Sequence, residues 1–100
     1  MPYEIEVHEL AVEELAQLRA FERRRILAEI RGQLTDQPAV ATRRRKCLLD
    51  LTRSFEHELP VWELRVGEFR VFYDVQEDGQ RVHVRAVRRK EAPQKTEDIA

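Results

Sequence analysis

The segment WELRVGEFRVFYDV, residues 62–75, consists of two alternating runs on either side of Val66-Gly67-Glu68-Phe69. Glycine at the first position of a two-residue connection marks a tight hairpin. A turn at Gly67-Glu68 sets Val66 opposite Phe69, Leu64 opposite Val71 and Trp62 opposite Tyr73, so every pair on that face is apolar or aromatic. Downstream, Glu77-Asp78-Gly79-Gln80 predicts a second hairpin with Asp78-Gly79 at its tip. That turn sets Val75 opposite Val82, Tyr73 opposite Val84 and Val71 opposite Ala86. The two turns, read separately, give one shared buried face, and a three-stranded meander is expected from Val61 onward. Trp62 and Phe69 belong to its core.

The other face follows from the same alternation. Arg65 is expected opposite Arg70 and near Val87, Glu63 opposite Phe72 and Arg85, and Val61 opposite Asp74 and His83. Like charges facing each other across strands destabilise the pair, so the two arginines need an anion or a carboxylate between them. Glu63 is one internal counter-ion for Arg85 or Arg65, giving a cross-strand salt-bridge lattice; a bound external anion is the alternative. Phe72 is the aromatic offered to this face, where it either stacks on a base or packs under a covering segment.

Upstream, Tyr3, Ile5 and Val7 alternate with Glu4, Glu6 and His8, the period of a half-buried strand. From Leu10 to about Leu34 the spacing turns helical: Val12, Leu15, Ala16 and Leu18, then Ile26, Leu27, Ile30 and Leu34. The apolar register slips near Ala20 to Glu22, which predicts two helices, an antiparallel hairpin, rather than one rod. Gly32 and Pro38 close this region. Residues 36–60 read as a long connection carrying a weak apolar patch, Cys47-Leu48-Leu49, and the basic tetrad RRRK at 43–46. The expected architecture is α+β: an N-terminal strand and a two-helix hairpin packed on a mainly antiparallel sheet that ends in a three-stranded meander.

A chain of 100 residues is the size of one domain, so residues 1–100 are expected to form a single unit, with EAPQKTEDIA at 91–100 a short helix or a flexible tail. The lone Cys47 excludes an internal disulfide and reads as a small core residue, and MPYEIEVHEL lacks the regions of a signal peptide. No apolar run approaches the ~20 residues of a membrane span, so the expected location is the cytoplasm. Net charge is −1, yet residues 81–90 hold five basic side chains and no acidic ones, so a local basic face is compatible with a near-neutral chain. No phosphate loop, dinucleotide fingerprint or CxxC spacing occurs, and His8, His57 and His83 show no metal-ligand spacing. No cofactor is expected.

The element order, together with Leu64, Arg65, Gly67, Phe69, Arg70, Val71 and Tyr73, resembles the RelE/ParE superfamily of type II toxin–antitoxin toxins. The resemblance covers most of the chain. In its RelE branch it implies a ribosome-dependent endoribonuclease that cuts mRNA and so inhibits translation, with an antitoxin protein as cognate partner. Position by position, Arg70 matches the phosphate-supporting arginine that closes the motif, and Lys90 falls where the family has a second arginine. The family's sheet lysines are replaced by Val61 and Glu63, and its C-terminal tyrosine falls near Thr96. Cleavage needs activation of the 2′-hydroxyl, protonation of the leaving oxygen and stabilisation of a phosphorane. Arg70, Lys90 and His83 are therefore the candidate catalytic set, with His83 expected beside Asp74; His57 and Lys46 are further proton-transfer candidates. Arg65, Arg85, Arg88, Arg89, Lys46 and Phe72 are the candidate RNA contacts. The ParE branch, which inhibits DNA gyrase by protein contact, is the rival reading. A member that binds antitoxin without toxicity is the third.

Overall fold

The computed structural model of the chain describes residues 2–48 and 55–90. Thr96, the 91–100 tail and Leu49 of the apolar patch lie outside these residues. The first expected hairpin forms as read: β3 (Val61–Val66) and β4 (Phe69–Gln76) pair with Val66 on Phe69, Leu64 on Val71, Trp62 on Tyr73 and Arg65 on Arg70. Gly67 has φ +58°, a conformation open to glycine, and the Arg25 guanidinium lies 3.0 Å from where a Cβ would project.

The second hairpin joins β4 to β5 (Arg81–Arg89), with Val75 on Val82 and Tyr73 on Val84 as expected. Its positive φ angles fall on Gly79 and Gln80, at +92° and +49°, so the connection spans residues 77–80. Beyond Tyr73 the register departs from a straight ladder. A bulge sets Phe72 opposite Ala86, Val71 opposite Val87 and Arg70 opposite Arg88, with Arg85 as the extra residue. Ala86 thus moves from the expected core face to the other side of the sheet, and Val87 takes its place in the core.

Strand β1 (Glu4–Val7) lies parallel to β5, Glu6 beside His83, at one edge of the sheet. The opposite edge corrects the reading of residues 36–60 as connection alone. Arg45–Leu48 forms β2, antiparallel to β3, and completes the order β1-β5-β4-β3-β2. Its signature is hidden because a charged residue occupies a core-side position: Arg45 is only 7% exposed, and its Nη1 donates to the Gln33 carbonyl near the end of α2 (Ala20–Leu34). A guanidinium there meets carbonyls that the helix leaves unpaired.

The helices are α1 (Glu9–Ala16) and α2. Two i→i−3 bonds, Gln17 N to Glu14 O and Leu18 N to Leu15 O, end α1, and Arg19 is extended before α2 begins. Ala11 and Leu15 join Ile26, Ile30 and Leu34, one stripe at helical spacing, against Leu64, Val71, Tyr73, Val82 and Val84. Where β1 ends, α1 covers the exposed edge of β5: the Val87 N–H donates to Glu14 Oε1 at 2.8 Å.

A smaller cluster fills the other face. Phe55 packs over Phe72, ring centroids 5.4 Å apart, together with Leu48, Val61 and Ala86. That face is therefore partly roofed rather than open.

Candidate nucleic-acid interface

Alternation along β2 and β3 points Lys46 and Arg65 to the face opposite the helices, and Lys46 pairs with Glu63 in the ladder. Lys90 follows β5 and is tied to the first hairpin by its N–H, which donates to the Glu68 carbonyl at 2.7 Å. These residues line a cleft of about 490 Å³ together with Arg43 and Glu63. Arg65 and Arg43 also border a second cleft of about 400 Å³ with Arg25 and Arg44, so the cationic surface continues round the β2 edge toward α2. Of the sequence-predicted residues, Lys46, Arg65 and Lys90 are thus brought together. Arg43 and Arg25 join them; the first was visible in the RRRK tetrad, whereas the second had no signal beyond a charged helix position.

The remaining candidates are held elsewhere. Arg70 is 7% exposed, and its Nη1 donates to the carbonyls of Gly67 and Phe69, each at 2.8 Å. Burial lowers its pKa from the usual arginine value; Glu63 opposes that shift and Arg65 adds to it. The cross-strand arginine pair is thus relieved by main-chain carbonyls and by the Glu63 carboxylate.

Of the two expectations for Phe72, stacking on a base and packing under a cover, the second holds: it is fully buried beneath Phe55. Arg85, expected near Glu63, instead donates to Asp74 at 2.7 and 3.3 Å, and both residues are buried. The bulge at Arg85 brings about this pairing. Arg88 bonds Glu14 and lies 5.6 Å from the Phe55 ring centroid. Arg89 turns toward the helices, where it meets Glu22 at 3.0 Å, Glu68 at 2.6 Å and the face of Phe69.

His83 is opposite Asp74 in the ladder as expected, but the predicted ring–carboxylate pair is not formed. The Asp74 carboxylate is taken by Arg85 and by the Glu58 N–H. The His83 ring instead meets Glu6, His8 and Gln76. His83 and Lys90 are separated by seven positions along β5, roughly 20 Å of extended chain, so the imidazole is remote from the cationic cleft. Burial lowers the His8 pKa, and Arg85 acts in the same direction.

This order of elements, with a mixed five-stranded sheet and a helical hairpin on one face, defines the RelE-like class of α+β folds. The RelBE2 toxin–antitoxin complex of Mycobacterium tuberculosis contains a chain with TM-score 0.67 and 22% identity, matched over 90% of this chain and 100% of that one. The archaeal RelE–RelB complex of Pyrococcus horikoshii OT3 gives TM-score 0.69 and 22% identity over 92% and 99%. A mutant of the E. coli toxin RelE in the free state gives 0.52 and 19% over 93% and 88%. No curated protein sequence matches the chain. The family model for the ParE toxin of the type II toxin–antitoxin system parDE matches residues 5–92. The chain belongs to this toxin family. Among the described residues no helix is long and apolar enough to cross a membrane.

Proposed function

We propose that this toxin acts in the cytoplasm on ribosome-bound mRNA, binding the phosphodiester backbone in the cleft formed by Arg43, Lys46, Arg65 and Lys90. The observation that carries the reading is the convergence of these cations from β2, β3 and the segments beside them, with Glu63 as the carboxylate lining the same cleft. A surface of this composition favours a polyanion, and the electrostatic part of that preference needs no base-specific contact. Within it, Arg65 supports the phosphate, while Lys46 and Lys90 are the groups able to donate a proton and to stabilise a dianionic phosphorane. In this reading His83, roughly 20 Å of extended chain from Lys90, takes no part, and Arg70 acts through the hairpin it holds.

A cognate antitoxin is the proposed partner. An acidic segment over the cleft would neutralise it, or an amphipathic helix would cover the exposed groove of Val12 and Leu27 between the helices.

The ParE-type reading, inhibition of gyrase by protein contact, is favoured by the absence of histidine from the cleft lining. Primer extension on mRNA from a reconstituted translation reaction, with wild type and Arg65→Ala side by side, separates the two. Cuts at A-site codons that disappear in the variant support the nuclease. Intact mRNA together with inhibited DNA supercoiling in a parallel gyrase assay overturns it. Intact mRNA with neither process inhibited leaves the antitoxin-binding, non-toxic reading.

A further inference from the structure

His8 and His83 are 75 positions apart in sequence, and nothing in their spacing connects them. The parallel pairing of β1 with β5 does. Glu6 is the ladder partner of His83, and Glu6 and His8 are two positions apart on extended chain, so all three side chains project from the same face. The ladder continues to the second histidine, because the His8 N–H donates to the Val84 carbonyl at 2.9 Å. His8 Nε2 lies 2.8 Å from His83 Nδ1, Glu6 Oε2 lies 3.2 Å from the same Nδ1, and Glu6 Oε2 and His8 Nε2 are 3.8 Å apart. Donors held at the usual ~2.0–2.2 Å around a tetrahedral zinc ion are separated by roughly 3.3–3.5 Å, and the three distances bracket that value.

We infer that Glu6, His8 and His83 form a binding site for one divalent cation of the zinc type, built on the β1–β5 edge and separate from the cationic cleft. Two imidazoles and one carboxylate are a donor set suited to zinc, with nickel and cobalt as related ions. The outer contacts fit the same purpose. Gln76 Oε1 is 3.0 Å from His83 Nε2, and in the tautomer with the proton on Nε2 it accepts that hydrogen bond and leaves the Nδ1 lone pair facing the other two donors. The nearby cations each have a carboxylate of their own: Arg85 pairs with Asp74 at 2.7 Å, and Arg81 faces Glu4 at 3.5 Å. His8 also borders a cleft of about 410 Å³ with Glu9, Glu13, Glu56 and Arg85, which supplies an acidic approach and room for solvent as a fourth ligand. An ion there would tie the start of α1 and strand β1 to β5, and so stabilise the native chain by mass action.

The test uses tag-free full-length protein stripped of metal with a chelator and titrated with Zn²⁺ alone. Calorimetry is expected to give one equivalent, and long-range ¹H–¹⁵N spectra of the imidazoles are expected to shift at His8 Nε2 and His83 Nδ1 and not at His57. Because outer-shell partners alone change metal affinity by about 10–100-fold, His83→Gln and His8→Asn, each a ligand loss, are expected to weaken binding by roughly 100-fold or more. Absence of binding at excess Zn²⁺ overturns the inference. So does binding that shifts only His57, or binding that survives both substitutions within about twofold. The wild-type spectra decide the matter even if a variant does not fold.

Discussion

Arg65 and Arg70 occupy facing positions in one hairpin, yet they have opposite fates. Arg65 is exposed in the cleft, whereas Arg70 is withdrawn beneath the surface with its guanidinium on the Gly67 and Phe69 carbonyls. Sequence alternation assigned both to the same face and was right to do so. What it could not supply was the length and direction of each side chain, since a guanidinium that folds back on its own turn looks identical in sequence to one that reaches outward. A consequence concerns how mutants are read. Arg70→Ala removes a charged donor from two main-chain carbonyls, that of Phe69 buried, and is expected to destabilise the fold by about 2–3 kcal/mol, the range for a hydrogen bond to a charged group plus lost packing. Arg65→Ala is expected to change stability by less than about 0.5 kcal/mol, as at most exposed positions. Urea unfolding of the two variants checks this. Equal losses of stability would mean that Arg65 also holds the hairpin. Loss of toxicity in Arg70→Ala alone therefore reports folding as much as function.

The elements show where periodicity is enough and where it is not. Both hairpins, the helical pair and strand β1 were legible because each places apolar residues at its own repeat, and the Leu64, Val71, Tyr73 and Val84 face admits one register. Strand β2 was missed because Arg45 breaks the alternation to meet the end of α2, and the bulge at Arg85 was missed because the partner it brings to Arg85, the Asp74 carboxylate, lies on another strand. A cover over Phe72 was one of its two expected roles, but the identity of that cover, Phe55 from the connection before β3, was beyond the local pattern for a similar reason. Phe55→Ala is expected to cost about 3 kcal/mol, the lower end for a buried phenylalanine, and to increase the exposure of Phe72, detectable as dye binding to apolar surface before the main unfolding transition. An unchanged melting curve would show that the Phe55 roof contributes nothing. The junction of α2, β5 and the first turn carries a pH signature. Arg89 holds the Glu22 carboxyl below its ordinary value of 4.5, with the Arg19 N–H assisting. A carboxylate depressed in the folded state contributes its full stabilisation above the unfolded value and loses it as pH falls through the folded one. The Tm difference between wild type and Glu22→Gln is thus expected to be present at neutral pH and to shrink as pH falls below 4.5 and through the depressed folded value. A difference that grows on acidification would reverse the sign and remove the Arg89 pairing from the account.

At the scale of the molecule, a net charge of −1 conceals a sorting of charges. Carboxylates of the N-terminal third take up much of the basic side of the sheet: Glu4 meets Arg81, Glu14 meets Arg88, Glu22 meets Arg89 and Glu29 meets Arg44. Arg85 is answered by Asp74. Arg43, Lys46, Arg65 and Lys90 line one cleft with the buried Arg45 and have no ion pair among the described residues, as is also true of Arg23, Arg24, Arg25 and Arg31 on α2. Sequence totals could not reveal this, because the carboxylate that answers each arginine is often more than sixty positions away. The sorting makes a quantitative prediction about RNA. Four phosphate contacts on a single strand release counterions with a slope of about −0.7 each, so log affinity should fall with log salt at a slope near −3. Arg65→Ala and Lys90→Ala should each make that slope shallower by about 0.7. Arg88→Ala, whose side chain is engaged with Glu14, should leave it unchanged. Fluorescence anisotropy of a labelled single-stranded RNA at several salt concentrations measures all four proteins. A flat response in the wild type would mean that no phosphate enters the cleft. A slope reduced by Arg88→Ala as much as by Arg65→Ala would mean that RNA displaces Glu14, so that the binding surface would extend across β5 toward α1.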